Sequence, residues 1–288
     1  MGPSEVLRRL ATPRRHTTVP VGGFNAATSQ WTNSVTADGV ERDEVTLTTF
    51  NIWNESKQAE RRYHAIAELL SARGPDIMVF QEITRSALRV FLAQQWIRDS
   101  YVRAAVSGFR VGNYGMLMLS RLPVTGVTYT RLPTRQARGY LRADLMINGI
   151  RQPVCSVHLD SGKSSKPLRA RQLETMFRAL QNTDDAVLLG DFNMRDDENE
   201  HIDPLYTDAW PALRPGEDGF TEDTSINLMR YDMKDKHRHV RFDRVLLKGD
   251  HWKAAEIELL GTKPIGDDPR VFPSDHFGVE CRLRRRIP

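Results

Sequence analysis

From Val45 onward, short runs of β-branched and long aliphatic residues alternate with longer stretches whose apolar positions recur at helical spacing. The runs 45–52, 76–81, 116–120, 142–147, 154–159, 186–189, 242–247 and 279–283 have the length and composition of strands. Between them Tyr63, Ile66, Leu69 and Leu70 fall on one helical face, as do Leu173, Met176, Phe177 and Leu180. Both stretches predict helices laid over a sheet. Residues 195–236 are charged and weakly periodic, which predicts a loop-rich insertion beside the strand ends. Before Val45 no period is sustained, and Arg8, Arg9, Arg14 and Arg15 mix with Pro13, Pro20 and many Gly, Asn, Ser and Thr residues. This predicts an appended, partly disordered arm over 1–44 and one folded domain over 45–288. No internal repeat is visible.

A chain of 288 residues with 40% hydrophobic content can bury a substantial core. Its formal net charge of +4 suits a polyanionic partner such as nucleic acid, although many soluble proteins are as basic. Cys155 and Cys281 each sit inside an apolar, strand-like run, which predicts buried thiols rather than a secreted disulfide framework. An intracellular location is expected, in the nucleus or cytoplasm if the source is eukaryotic. No stretch of about eighteen apolar residues predicts a membrane span. The arginine-rich start, with Glu5 as its early acid, is compatible with mitochondrial import, but a plain basic tail fits the composition better.

The chemistry lies where the apolar runs stop. They end in Phe50-Asn51, Gln81-Glu82, His158-Leu159-Asp160-Ser161 and Gly190-Asp191-Phe192-Asn193, and a further Ser274-Asp275-His276 precedes the last run. A strand leaving a core holds its final side chains rigidly at a sheet edge, where reacting groups need to be placed accurately. Taken singly, Glu82 reads as a loop carboxylate, and His276 is as readily structural as catalytic. The ordered set reverses both readings. His64, His201, His237, His239 and His251 read as ordinary histidines. The charged run 234–241 reads as a solvated face, with contact between its basic residues and a DNA backbone as the alternative reading.

These motifs, in this order over roughly 45–283, resemble the endonuclease/exonuclease/phosphatase superfamily. Gly190-Asp191-Phe192-Asn193 together with Ser274-Asp275-His276-Phe277-Gly278 carries most of the resemblance. His158-Leu159-Asp160-Ser161, Asn193-Met194-Arg195-Asp196, Arg241-Phe242-Asp243-Arg244-Val245 and Val271-Phe272-Pro273 bring it nearest to the tyrosyl-DNA phosphodiesterase branch. The resemblance implies an α/β fold, a four-layer sandwich of two packed mixed β-sheets flanked by helices (DNase I-like). It also implies a magnesium-dependent enzyme, with manganese an alternative ion. Its reaction would be hydrolysis of 5′-phosphotyrosyl-DNA adducts to leave a 5′-phosphate, a DNA-repair activity, performed by a monomer on DNA 5′ ends and away from membranes.

The chemistry of phosphodiester hydrolysis then assigns roles. Glu82 is the first metal ligand and Asp275 supports the metal shell. Asp191 orients or deprotonates the attacking water, with Asn51 and Asn193 placing phosphoryl oxygens or neighbouring carboxylates. His158 and His276 contact the phosphate, and Asp243 fixes the His276 ring as an imidazolium. Arg195 clamps a phosphate oxygen, and the resemblance places Tyr114, Ser161 and Phe220 on the substrate side. Two positions depart from the branch. Trp53 stands where it carries an acid near the metal, and Glu222 stands where it carries a tryptophan beside the DNA-binding wall. Two alternatives keep the fold and change the substrate: a general endo- or exonuclease, and a lipid or small-molecule phosphoesterase. A third is a non-catalytic nucleic-acid-binding protein, which would have no chemical need for Glu82, Asp191 and His276 together.

Overall fold

The computed structural model describes residues 16–33, 38–107, 114–233 and 235–286. In chain order the strands are β1 His16–Val19, β2 Val21–Asn25, β3 Gln30–Asn33, β4 Glu44–Asn51, β5 Ile77–Ile83, β6 Val102–Val106, β7 Gly115–Ser120, β8 Val124–Arg131 and β9 Gly139–Ile147. They continue as β10 Ile150–His158, β11 Ala186–Asp191, β12 Tyr206–Asp208, β13 Glu222–Asp223, β14 His239–Val240, β15 Asp243–Lys248, β16 Trp252–Leu260 and β17 Gly278–Arg285. The helices are α1 Ala59–Arg73, α2 Arg85–Ala93, α3 Gln95–Ser100, α4 Lys166–Ala179, α5 Ala209–Leu213 and α6 Leu228–Asp232.

Two sheets carry the fold. One has the order β1-β8-β9-β10-β11-β15-β12 and the other β16-β17-β4-β5-β7-β6-β2-β3. Each has one parallel pair near its middle, β10 with β11 and β4 with β5. Each pair is joined by a crossover helix, α4 or α1, as parallel neighbours require. Alternation along β5 explains the layers. Ile77 and Val79 enter the core between the sheets, and Met78 and Phe80 enter a second core beneath α1 and α2 with Tyr63, Ile66 and Leu70. On the other sheet, Val157 and Leu188 pack under Leu173, Met176 and Phe177 of α4. The result is the four-layer α/β sandwich that the resemblance implied, with the central strands buried on both faces. Gln81 joins the sheets across the middle, donating to Thr49 Oγ1 at 3.1 Å and to Ser156 Oγ at 3.4 Å.

The expectation of an arm over 1–44 is corrected for 16–33. β1 closes one edge of the first sheet, and β2 with β3 closes an edge of the second. Val19 and Val21, on either side of Pro20, both enter the core between the sheets. Edge strands this short bury too few residues to display a period of two, so the pattern stayed hidden. Residues 1–15 lie outside the described residues. The insertion at 195–236 is loop-rich as expected, broken by the short β12, β13, α5 and α6. β6, β8, β16, α2 and α3 are additional to the expected elements. Cys155 and Cys281 are buried and unpaired. Among the described residues no helix is long and apolar enough to cross a membrane.

Candidate active site

The two parallel pairs point their carboxyl ends to the same side, the usual location of a ligand site in sheets of this kind. Asn51 ends β4, Glu82 lies near the end of β5, His158 ends β10 and Asp191 ends β11. Asp243, the first residue of β15, is in register with Asp191. His276 arrives from the loop before β17. A cleft of about 830 Å³ opens over them. Several backbones here are strained: the non-glycine residues Trp53, Glu82 and Asn193 have φ of 57°, 63° and 52°, a conformation that persists where surrounding structure enforces it. Gly190 is required by close packing, since a Cβ there would lie 2.1 Å from the carbonyl oxygen of Val157.

Asp191 is the hub. Its Oδ2 accepts from Asn51 Nδ2 and from Asn193 Nδ2, each at 3.0 Å, and its Oδ1 accepts from the Asn193 amide at 2.8 Å. Burial lifts its carboxyl to about 6, against the opposing charge of His276. Asn51 in turn is held by the Trp53 amide, which donates to its Oδ1 at 3.1 Å. Ser274 Oγ, which donates to the Asn51 carbonyl at 2.6 Å, ties the 274–276 loop to the same strand end.

The two histidines are in opposite states. Burial works against charge on His276, but Asp243, with Oδ2 at 2.8 Å from Nδ1, overcomes it and raises the ring well above its usual range. The Asp243 carboxylate favours the imidazolium form. For His158 burial and the neighbouring Arg138 act together and hold the ring well below its usual range. Arg138 Nη1 lies 2.9 Å from His158 Nδ1, and a guanidinium can only donate. His158 Nδ1 is therefore the acceptor, and the proton sits on Nε2. That atom is buried, has no hydrogen-bond partner among the described residues, and is 3.5 Å from Asp191 Oδ2 and 4.0 Å from Glu82 Oε1. Arg138 also lies over the Tyr114 ring at 5.4 Å.

Glu82 and Asp275 face the same cleft. Glu82 Oε2 accepts from the Asn54 amide at 3.0 Å, and burial together with the charge of Asp275 raises its carboxyl. Burial raises Asp275 as well, against His276 and Arg230. A buried carboxylate, Asp275, beside a partly buried one, Glu82, suits a hard divalent cation with oxygen ligands. Ligand atoms of Asp191, Asp243 and His276 also fall within 4.8 Å of one another. Within that trio His276 Nδ1 and Asp243 Oδ2 are paired with each other at 2.8 Å, so it reads as a hydrogen-bonded network.

Of the expected substrate-side residues, Tyr114, Ser161 and Arg195 line the cleft. The Arg195 guanidinium lies 5.8 Å from the Phe242 ring centre. Ser161 donates through Oγ to Gln136 Oε1 at 3.0 Å. Phe220 does not line the cleft, because it packs against His239 at 5.6 Å, one ring further out. Glu222, at the tryptophan position, is buried and paired with Arg230 and with Arg238, the latter at 3.2 Å. Trp53 is buried under Arg62 at 4.5 Å. The Arg62 guanidinium donates to the carbonyls of Ile52, Trp53, Glu55 and Lys57, fixing the loop after Asn51. Arg62, Gln81, Arg138 and Arg230 were not among the expected site residues. No local spacing marks them, because each works through a tertiary contact.

Residues 48–276 match the endonuclease/exonuclease/phosphatase family. The chain belongs to that family. Among curated proteins it is similar to tyrosyl-DNA phosphodiesterase 2 of Rattus norvegicus, 26% identical over 262 residues that cover 85% of this chain and 69% of the relative. The protein of that name from Xenopus laevis is 28% identical over 253 residues, covering 81% and 65%. Among solved structures, D. rerio TDP2 complexed with single strand DNA product superposes with a TM-score of 0.76 at 20% identity, over 84% of this chain and all of that one. Truncated Caenorhabditis elegans TDP2 gives 0.71 at 23% identity, over 84% and 97%. These superpositions establish the fold.

Proposed function

We propose that this chain is a divalent-metal-dependent phosphodiesterase that hydrolyses the 5′-phosphotyrosyl bond of a DNA adduct, leaving a 5′-phosphate. The observation that carries the reading is the buried Asp191 carboxylate, held by three donors from Asn51 and Asn193 beside the His276–Asp243 pair. Asp191 takes a proton from a water whose oxygen forms the new bond to phosphorus. The phosphorus–oxygen bond to the tyrosyl ring breaks, and the tyrosyl oxygen leaves as a phenolate that takes its proton from solvent. The His276 imidazolium and the His158 Nε2–H donate to phosphoryl oxygens as charge builds in the transition state. Magnesium, or manganese in its place, bound at Glu82 and Asp275 would neutralise phosphate charge. Arg195 and Ser161 position the strand, and Tyr114 contacts the adduct side.

The curated relatives' names support the tyrosyl-DNA substrate, and the basic cleft residues Arg138, Arg195, Arg230 and Arg238 suit a polyanion. The two buried, unpaired cysteines support an intracellular location. The deciding experiment compares magnesium-dependent turnover of a 5′-tyrosyl oligonucleotide, an abasic duplex, plain single-stranded DNA and a phospholipid analogue. The 5′-tyrosyl substrate is expected to be turned over fastest. Indifference to the tyrosyl group, or preference for the lipid, sinks the substrate assignment.

A further inference from the structure

The loop 132–138 between β8 and β9 and the loop that follows β10 are joined by the side chain of Gln136. That residue is exposed, and an exposed glutamine ordinarily extends into water. Here its Oε1 accepts from Arg138 Nη2 at 3.2 Å, from the Ser161 amide at 2.9 Å and from Ser161 Oγ at 3.0 Å, while its Nε2 donates to the Ser161 carbonyl at 3.4 Å. The turn that presents it is ordered locally. Thr134 Oγ1 accepts from the Gln136 and Arg138 amides at 2.9 Å and 3.0 Å, and Ala137 reverses the chain with a φ of 59°. The backbone of the loop has ties of its own. Gln172 Nε2 donates to the Pro133 carbonyl at 2.8 Å, and the Arg135 amide donates to Asp160 Oδ1 at 3.3 Å.

We infer that Gln136 is a positioning residue for the reaction, holding Arg138 against His158 and fixing Ser161 through the same oxygen. Arg138 is buried, and its Nε has no hydrogen-bond partner among the described residues. The plane of its guanidinium is therefore set at the two terminal nitrogens, Nη1 on His158 Nδ1 at 2.9 Å and Nη2 on Gln136. Without the Gln136 oxygen one of these anchors is gone, and the guanidinium is free to turn away from the ring. His158 Nδ1 can then carry the proton, which removes the Nε2–H donor from the cleft. A residue at the surface, distant in role from the reacting phosphate, thus sets the tautomer of a histidine on the cleft floor. The inference rests on the proposed function for the donation from His158 Nε2 to a phosphoryl oxygen.

The test uses the full chain and two substitutions of the same reach: Gln136→Met, which removes the amide oxygen, and Gln136→Glu, which keeps an acceptor where the three donors meet. Steady-state turnover of a 5′-tyrosyl oligonucleotide, nitrogen NMR shifts of the His158 ring and the melting temperature are measured for each. Gln136→Met is expected to lower kcat about tenfold, the lower end of what removing an orienting partner costs, and to leave KM within about twofold. Its His158 spectrum should show the second tautomer. Gln136→Glu is expected to keep kcat within about twofold of the native chain and a single ring tautomer. Both melting temperatures should stay within about 2 °C of the native value, because the backbone ties of the loop remain. The inference is overturned if Gln136→Met turns over like the native chain whatever its melting temperature, if Gln136→Glu loses as much as Gln136→Met, or if kcat falls with the ring spectrum unchanged. Absence of turnover by the native chain removes the proposed reaction alone, since the ring spectra of the two variants still decide whether Gln136 holds Arg138 on His158.

Discussion

The floor of the cleft and its rim are built by different physics. On the floor, Asn51, His158, Asp191, Asp243 and His276 are almost fully buried, and each has its orientation set by a neighbour within hydrogen-bonding distance. Along the rim, Arg195, His237 and His239 are at least partly open to water and meet rings more than fixed acceptors. Burial makes floor charges interact strongly, so small geometric errors there carry large costs. Rim charges are screened, and their losses are graded. Chemistry and grip are thus separable, and substitutions on the two sides should read out in different constants.

The largest effect is expected at the hub. Asp191→Asn keeps the shape and removes the base, so kcat should fall about 10³- to 10⁴-fold with the fold intact, as for a group acting in proton transfer. Because Asp191 is lifted to about 6 by burial, activity of the native chain should fall as pH drops through that region, where the carboxyl takes up a proton. An ordinary carboxylate would place this limb near 4. Near-normal turnover by the variant, or an acid limb left in place by it, removes Asp191 as the base.

Next in size is the joint between two loops of the site. Arg169 donates to Glu198 at 2.8 Å and 2.6 Å and to the carbonyls of Asp160 and Gly162, and both ion-pair partners are 1% exposed. Glu198 also accepts from the Arg195 amide. Arg169→Met leaves a buried carboxylate without its partner, which typically costs about 3–5 kcal/mol. A lower denaturant midpoint at unchanged slope is the expected signature. A shift of under about 1 kcal/mol would mean the loops hold each other by other means.

A smaller effect is expected at Arg138, which reaches the reaction through His158. Replacing it with Gln allows the partner at Nδ1 to donate or accept, so the Nε2–H tautomer is no longer enforced. A loss of about 10- to 100-fold in kcat is expected, of the size seen when the orienting partner of a site histidine is removed. Nitrogen NMR shifts of the His158 ring should show the tautomers mixing. An unchanged ring spectrum with reduced activity would assign Arg138 a different task.

The floor was legible in the sequence because central parallel strands are buried on both faces and read as continuous apolar runs, so Asn51, Glu82, His158 and Asp191 stand out at their ends. The covering helices were legible too, through the single apolar faces of α1 and α4. Arg62, Arg138 and Arg230 were not, because an arginine that bonds carbonyls or a ring nitrogen far along the chain looks like any surface arginine. β16 was missed because it covers the core on one face only, and Lys253, Glu256 and Glu258 interrupt its pattern. α2 carried a usable signal in Thr84, whose side chain accepts from the Ala87 amide at its N-terminus. The rim was least legible. Phe220 packs outside the cleft, and Glu222 serves as an anchor for two arginines, arrangements that depend on how β13, β14 and α6 meet.

The smallest effect expected is also the sharpest division between rim and floor. The Arg195 amide is fixed by Glu198 at 3.2 Å, but its guanidinium lies 5.8 Å from the Phe242 ring centre and lines the cleft, with no carboxylate bonded to it among the described residues. A cation placed that way meets a phosphate through water-exposed contact, which contributes affinity by releasing a counterion and adds little to the transition state. Arg195→Ala should therefore raise KM a few-fold, leave kcat within about twofold, and reduce the slope of log affinity against log salt by about 1. A change confined to kcat would place the guanidinium on the reacting phosphate and move Arg195 from the rim to the floor.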